Sequence, residues 1–85
     1  MPDQSVSEAR DHLLRVVHLI VDEPDAVEIE EHQEGRTTVF ELQVASQDLG
    51  KVIGRQGRTV RAFRSLLMAR GAQDGCRYEL EILDD

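Results

Sequence analysis

Eighty-five residues weighing 9.6 kDa leave room for one compact domain and not for two. Against 10 Lys+Arg stand 17 Asp+Glu, and as a whole-chain figure the resulting −7 argues against nucleic acid, whose binders carry a basic footprint. A single cysteine, Cys76, excludes an internal disulfide and a cysteine-based metal cluster, and no apolar run approaches the ~20 residues of a membrane span.

The start, Met1-Pro2-Asp3-Gln4-Ser5, lacks the basic and apolar regions of a signal peptide, so a cytoplasmic address is expected. Ser5 and Glu8 have the spacing of a capping box. Behind them Ala9, Leu13, Val16, Val17 and Ile20 recur at helical spacing, widened by Leu14 and Val21, and Pro24 ends this helix near Val21. Val27 and Ile29 alternate with Glu28 and Glu30. Thr38, Phe40, Leu42 and Val44 alternate with Val39, Glu41 and Gln43, the period of a half-buried strand. Glu34-Gly35-Arg36 between these stretches reads as a hairpin turn. A helical region opens near Ser46 and runs to Ile53. A longer helix spans Arg58 to Arg70, closed by Gly71. Tyr78, Leu80 and Ile82, alternating with Arg77, Glu79 and Glu81, make a third strand. The order α-β-β-α-α-β predicts an α+β fold with helices packed on one face of a three-stranded sheet. One domain over 1–85 is expected, with 1–4 and 84–85 as flexible tails.

Resolved along the chain, the charge changes meaning. Residues 1–48 carry −9 and residues 74–85 carry −4, whereas Leu49 to Gln73 holds no acid and six bases: Lys51, Arg55, Arg58, Arg61, Arg64 and Arg70. A basic island in an acidic frame is either a solvated helix face or a phosphate-binding surface. Within it lies Asp48-Leu49-Gly50-Lys51-Val52-Ile53-Gly54-Arg55-Gln56-Gly57-Arg58-Thr59-Val60. Gly54 and Gly57, three apart between two helices, allow a tight turn and a close backbone approach. The turn also aims helix N-terminal N–H groups outward, where an anion is favoured. The phosphate loop of NTPases is excluded, because a match ending at Thr59 needs glycine at 52 and lysine at 58, where Val52 and Arg58 stand.

Val52-Ile53-Gly54-Arg55-Gln56-Gly57 followed by Val60 resembles the signature of KH domains, whose GxxG loop clamps about four nucleotides of a single-stranded backbone. The helix-first order resembles the type II arrangement. With Ile20-Val21-Asp22-Glu23-Pro24-Asp25, the glutamate-rich Val27–Glu31 and Gly50 to Thr59, the chain resembles the small bacterial single-KH proteins of the KhpA (YlqC) type from about residue 8 to 83. That resemblance implies a single-stranded RNA-binding protein, an RNA chaperone or post-transcriptional regulator, acting as a homodimer or with a larger Jag-type KH partner. In some bacteria the family influences cell elongation. Where the family often has lysine in the loop, this chain keeps the charge with Arg55.

The candidate RNA-binding residues are accordingly Gly54, Arg55, Gln56 and Gly57 in the loop, with Lys51 and Arg58 beside it. On a helical wheel Val60, Phe63, Leu66 and Leu67 share one arc and face the sheet, while Arg58, Arg61, Arg64 and Ser65 lie opposite, with Met68. Arg58 is expected to touch phosphate; Arg61 and Arg64 act mostly through their field. Met68 is either a plain surface side chain or part of a self-association patch, to which Phe63 is a further candidate contributor. Bases would lie on aliphatic side chains, with Val52, Ile53 and Val44 as candidates, although a core role explains Ile53 equally well. Phe40, Phe63 and Tyr78 fall on core faces, which disfavours an aromatic stacking sheet. His18, His32 and Cys76 are scattered, so neither a metal nor another cofactor is expected. Asp48 reads as a helix cap, and no nucleophile–base pair points to an enzyme. Two other readings stay open: a protein–protein adaptor that uses the fold for assembly, and a ribosome-assembly factor.

Overall fold

The computed structural model describes residues 4–84. The chain forms α1 (Gln4–Ile20), β1 (Glu28–Glu34), β2 (Thr37–Gln43), α2 (Leu49–Ile53), α3 (Arg58–Asp74) and β3 (Arg77–Ile82), with 3-10 turns at Pro24–Ala26, Ser46–Asp48 and Arg55–Gly57. The order is the expected one. Of the expected tails, residues 1–3 and 85 lie outside the described residues, while Gln4 already belongs to α1. Ser5 is therefore inside the first helical turn and not ahead of it as a cap.

Spacing explains which side of each helix is buried. Val6, Ala9, Leu13, Val17 and Val21 follow one another at three or four residues and are all buried. The Val21 N–H still reaches the Val17 carbonyl at 3.1 Å, after which Pro24 opens a 3-10 turn. On α3 the stripe is Val60, Phe63, Leu67 and Gly71. Leu66, expected on this face, is 63% exposed. It sits on the flank toward α1, where the two helices leave a groove of about 220 Å³ instead of closing, lined by Ala9, Leu13, Val16, Phe63, Leu66 and Leu67 among others.

The sheet runs β1-β2-β3. β1 and β2 are antiparallel, joined by a two-residue turn in which Gly35 has φ +65°, the positive value a type II′ turn needs at its first position. β2 and β3 are parallel, so the chain must cross over between them, and α2 and α3 are that crossover. Alternation then assigns two faces. Thr38, Phe40, Leu42, Tyr78 and Leu80 point at the helices and are buried, with Phe40 and Tyr78 rings 5.4 Å apart and tilted by 56°. Burying an apolar side chain of this size stabilises the fold by about 1.5–3 kcal/mol each. On the other face the register lines up Glu28, Glu30, Glu34, Glu41, Glu79 and Glu81, a sheet surface that is acidic and carries neither Phe nor Tyr. Val39 belongs to that face yet is buried, because its cross-strand neighbours are His32 and Glu79.

The end of α3 corrects the sequence reading. The helix continues to Asp74, and Gly75, with φ +75°, is its left-handed terminator. The Gly71 carbonyl accepts the Gly75 and Cys76 N–H groups, the latter at 2.9 Å. Gly71 is a packing glycine: a Cβ there would lie 2.8 Å from the Cys76 carbonyl oxygen and 3.2 Å from the Tyr78 nitrogen. The stripe loses its side chain where the chain turns back over it. Asp74 accepts hydrogen bonds from the Tyr78 hydroxyl at 2.7 Å and from Arg70 at 2.9 Å, and the Tyr78 contact holds its carboxyl below the usual range. Among the described residues no helix is long and apolar enough to cross a membrane.

The two helical glycines should respond oppositely to alanine. Gly71→Ala drives Cβ into β3 backbone and costs about 1–3 kcal/mol. Gly50→Ala meets nothing within 4 Å and gains about 0.4–1 kcal/mol. Urea denaturation of the two variants checks both signs.

Candidate nucleic-acid interface

The link between α2 and α3 is four residues long, Gly54–Gly57, and all of them but Arg55 have positive φ. Gly54 adopts φ +79°, ψ +168°, a region open essentially to glycine alone. Its missing side chain has a second use: a Cβ there would fall 2.2 Å from Thr59 Oγ1 and 2.8 Å from the Thr59 nitrogen, so the first turn of α3 can close onto the end of α2. The Gly57 N–H donates to the Gly54 carbonyl at 3.0 Å, which closes the turn. Gly57 is itself left-handed, with φ +73° and ψ +17°, but has open space where a Cβ would go. The two glycines thus serve different ends, close approach at 54 and conformation alone at 57. Between them Gln56, at φ +57° and ψ +25°, is the one non-glycine residue with positive φ among the described residues. A non-glycine residue in this region costs about 1–2 kcal/mol.

The six bases of the island fare differently. Lys51 is paired with Asp22 and lies 3.8 Å from Asp48, and the hydrogen bond to Asp22 raises its pKa. Arg70 is held by Glu8 at 3.0 Å and Asp74 at 2.9 Å. Arg64 forks onto the Leu80 carbonyl at 3.3 and 3.4 Å, covering the free edge of β3. Arg61 donates from Nη2 to the Gln56 carbonyl at 3.0 Å. Arg55 and Arg58 are exposed and have no partner among the described residues. Arg55 lies in the turn and Arg58 opens α3, where the helix dipole favours an anion.

Of the apolar candidates, Ile53 is 37% exposed and can present a surface beside the loop. Val52 is fully buried, because successive residues of α2 point in different directions and it takes the inward one, and Val44, just after β2, is nearly so. The base-platform role expected for these two does not fit their placement; both side chains belong to the core. Phe40, Phe63 and Tyr78 are buried as expected.

Three residues that position the loop escaped the sequence reading. Thr59 fills the space above Gly54. Asp48, read as a cap of its own helix, makes no such bond; its fully buried carboxylate accepts the Asp22 and Glu23 N–H groups, each at 3.0 Å, and so ties the end of α1 to the start of α2. Those backbone donors, Asp22 first, hold its pKa below the ordinary 3.8. Asp22 then reaches across to Lys51. The only advance sign was that both acids lie beside turns. On the open sheet face the register also gathers Glu30, His32 and Glu41, with His32 Nε2 2.8 Å from Glu41 Oε1, a contact that raises the imidazole pKa above 6.5. Sequence spacing hid this exposed group, which lies away from the loop.

A glycine-bracketed turn between two helices, set on an α-β-β-α-α-β core with a mixed three-stranded sheet, defines a KH domain of type II. A model of the KH domain of KhpA/KhpB matches residues 10–82, and the chain belongs to this family. The proteins named RNA-binding protein KhpA include one from Chlamydia caviae, 40% identical over 76 residues that cover 89% of this chain and 97% of the relative. Those from Halalkalibacterium halodurans and Aquifex aeolicus are 45% and 48% identical over 65 residues, covering 76% of this chain and 86% and 82% of theirs.

Two outcomes follow for the site. Gly54→Ala combines a forbidden backbone region with a clash that Thr59 rotation cannot relieve, and costs about 2–4 kcal/mol, whereas Gly57→Ala costs only the left-handed strain of about 1–2 kcal/mol. Thermal unfolding separates them. Asp48→Asn lowers stability at neutral pH, because an amide nitrogen then faces a backbone N–H. The native Asp48 pKa is depressed, so the carboxylate's contribution is complete above pH 3.8 and fades as pH falls through the lower folded value. The gap between wild type and variant in urea midpoint should therefore be widest near pH 7 and close below pH 3.8.

Proposed function

We propose that the chain binds single-stranded RNA through the Gly54–Gly57 loop, with Arg55 and Arg58 as the phosphate contacts and Gln56 presented between them. The observation that carries this reading is the pair of unpartnered arginines in and directly after the glycine-bracketed turn, in a basic stretch whose other four bases are engaged. Relatives at 40–48% identity are named as RNA-binding proteins. Gly54 and Gly57 let the sugar–phosphate backbone approach the peptide backbone closely. Ile53 supplies an apolar surface for a base. Lys51, paired with Asp22, and Arg61, which donates to the Gln56 carbonyl, support the loop from behind.

The acidic frame gives the reading a direction. Glutamates across the open sheet face repel a polyanion, so RNA is admitted on the loop side. Two well-placed charges give weak, salt-sensitive binding, which a second KH site would strengthen by avidity. A homodimer, or pairing with a larger KH protein of the Jag type, fits this need. The groove between α1 and α3, with Leu66 exposed beside it and Met68 70% exposed on the same helix, is the surface that favours self-association. Acting as one KH domain in the cytoplasm, the protein would serve as an RNA chaperone or post-transcriptional regulator. The same groove favours the adaptor reading as the second choice.

Replacing Arg55 and Gln56 together with aspartate tests the site. The circular dichroism spectrum and melting should stay close to wild type, because neither side chain is buried, while affinity for a short single-stranded RNA falls at least tenfold. Arg58→Ala should lower the slope of log K against log salt by about one. Unchanged RNA affinity in the double variant, with partner binding intact, would favour the adaptor.

A further inference from the structure

Arg61 lies on the exposed side of α3 among the basic residues, and its charge alone would make it one more phosphate contact. Its geometry says otherwise. The guanidinium reaches back five residues and donates to the carbonyl of Gln56, the one left-handed non-glycine residue described. The peptide unit joining Gln56 to Gly57 is thereby pinned at both ends. Its N–H, from Gly57, donates to the Gly54 carbonyl at 3.0 Å, and its carbonyl, from Gln56, accepts Arg61 Nη2 at 3.0 Å. Gln56 occupies the third position of the turn that the first bond closes, where positive φ favours glycine or asparagine. A turn with glutamine there needs an external restraint to hold it, since strained backbone persists only where its surroundings over-determine it.

We propose that Arg61 is a positioning residue, a clamp that holds the Gln56 peptide left-handed and so fixes the direction in which Arg55 and Gln56 present their side chains to RNA. The proposal rests on the loop being the RNA site. It differs in giving Arg61 no direct contact with phosphate. Loop ordering before binding removes an entropic cost that the RNA would otherwise meet. Arg64 offers the contrast, as the same residue type one turn further along the helix reaches the edge of β3 and touches nothing in the loop.

The test has an arm that needs no RNA. In ¹⁵N relaxation of the free protein, Arg61→Ala should raise fast motion at Gln56 and Gly57 and leave α3 beyond its first turn unchanged. In titrations of a labelled mixed-sequence RNA of about eight nucleotides, the same variant should weaken binding about fivefold, the scale of releasing one left-handed residue, with a change in salt slope well below one. In a Gln56→Gly background, where the left-handed backbone carries no steric cost, Arg61→Ala should weaken binding less than about twofold. Unaltered loop relaxation overturns the clamp. So does a fall of about one in salt slope with the loop still ordered, which would mark Arg61 as a phosphate ligand. An equal loss in both backgrounds also overturns it. If the wild-type protein binds no RNA, the RNA reading fails, and the relaxation data still decide whether Arg61 orders the loop.

Discussion

With no Cβ at Gly54, the first turn of α3 closes onto the end of α2, and much else in the molecule follows from that approach. Thr59 moves into the vacated space, its hydroxyl and backbone nitrogen both within what would be clash distance of a side chain at 54. The helices can then be joined by four residues, and a link this short forces left-handed backbone at Gln56 and Gly57. The same shortness keeps the pair of helices within reach of the sheet, so that α2 and α3 can act as the crossover between two parallel strands. The exposed turn is thus the visible part of a constraint on the whole crossover.

Other parts of the fold keep the turn in place from a distance. The buried Asp48 carboxylate fastens α2 to the chain leaving α1 through two backbone N–H groups, and Asp22, in that same segment, takes Lys51. At the far end of α3, Gly71 and Gly75 let the chain fold back over the helix, with Asp74 binding both Arg70 and Tyr78. These contacts use up bases as well as acids. Of the six bases between Leu49 and Gln73, Arg55 and Arg58 at the loop stay unpaired, while the open sheet face carries a row of glutamates. The net charge of −7 is the sum of two surfaces with opposite preferences, and only the smaller one is suited to RNA.

Much of this was legible in the chain itself. Alternation of apolar and polar residues identified all three strands and their inward faces, because a strand's side chains change face at every residue. Spacing of three and four located α1 and most of α3. The Gly54–Gly57 motif in an acid-free stretch pointed to the loop. Errors arose where a residue's meaning depended on a partner remote in sequence. Gly71 resembled a helix stop because glycine usually is one there, yet it stays helical under the returning backbone of Cys76 to Tyr78. Leu66 shared an arc with Phe63, but α1 does not close over it. Lys51 resembled a free cation until Asp22, 29 residues earlier, met it.

The sequence by itself determined the element order, the core-facing residues of the sheet, the position of the glycine-bracketed turn and the charge contrast around it, since each depends on local periodicity or on neighbours along the chain. Tertiary structure alone decided which bases are spoken for, which glycine is required for packing and which for conformation, and which aliphatic side chains reach the surface. Those properties are set by distances between segments that only folding brings together. The chain supplies six bases in one stretch, and the fold leaves two of them unpartnered beside the loop.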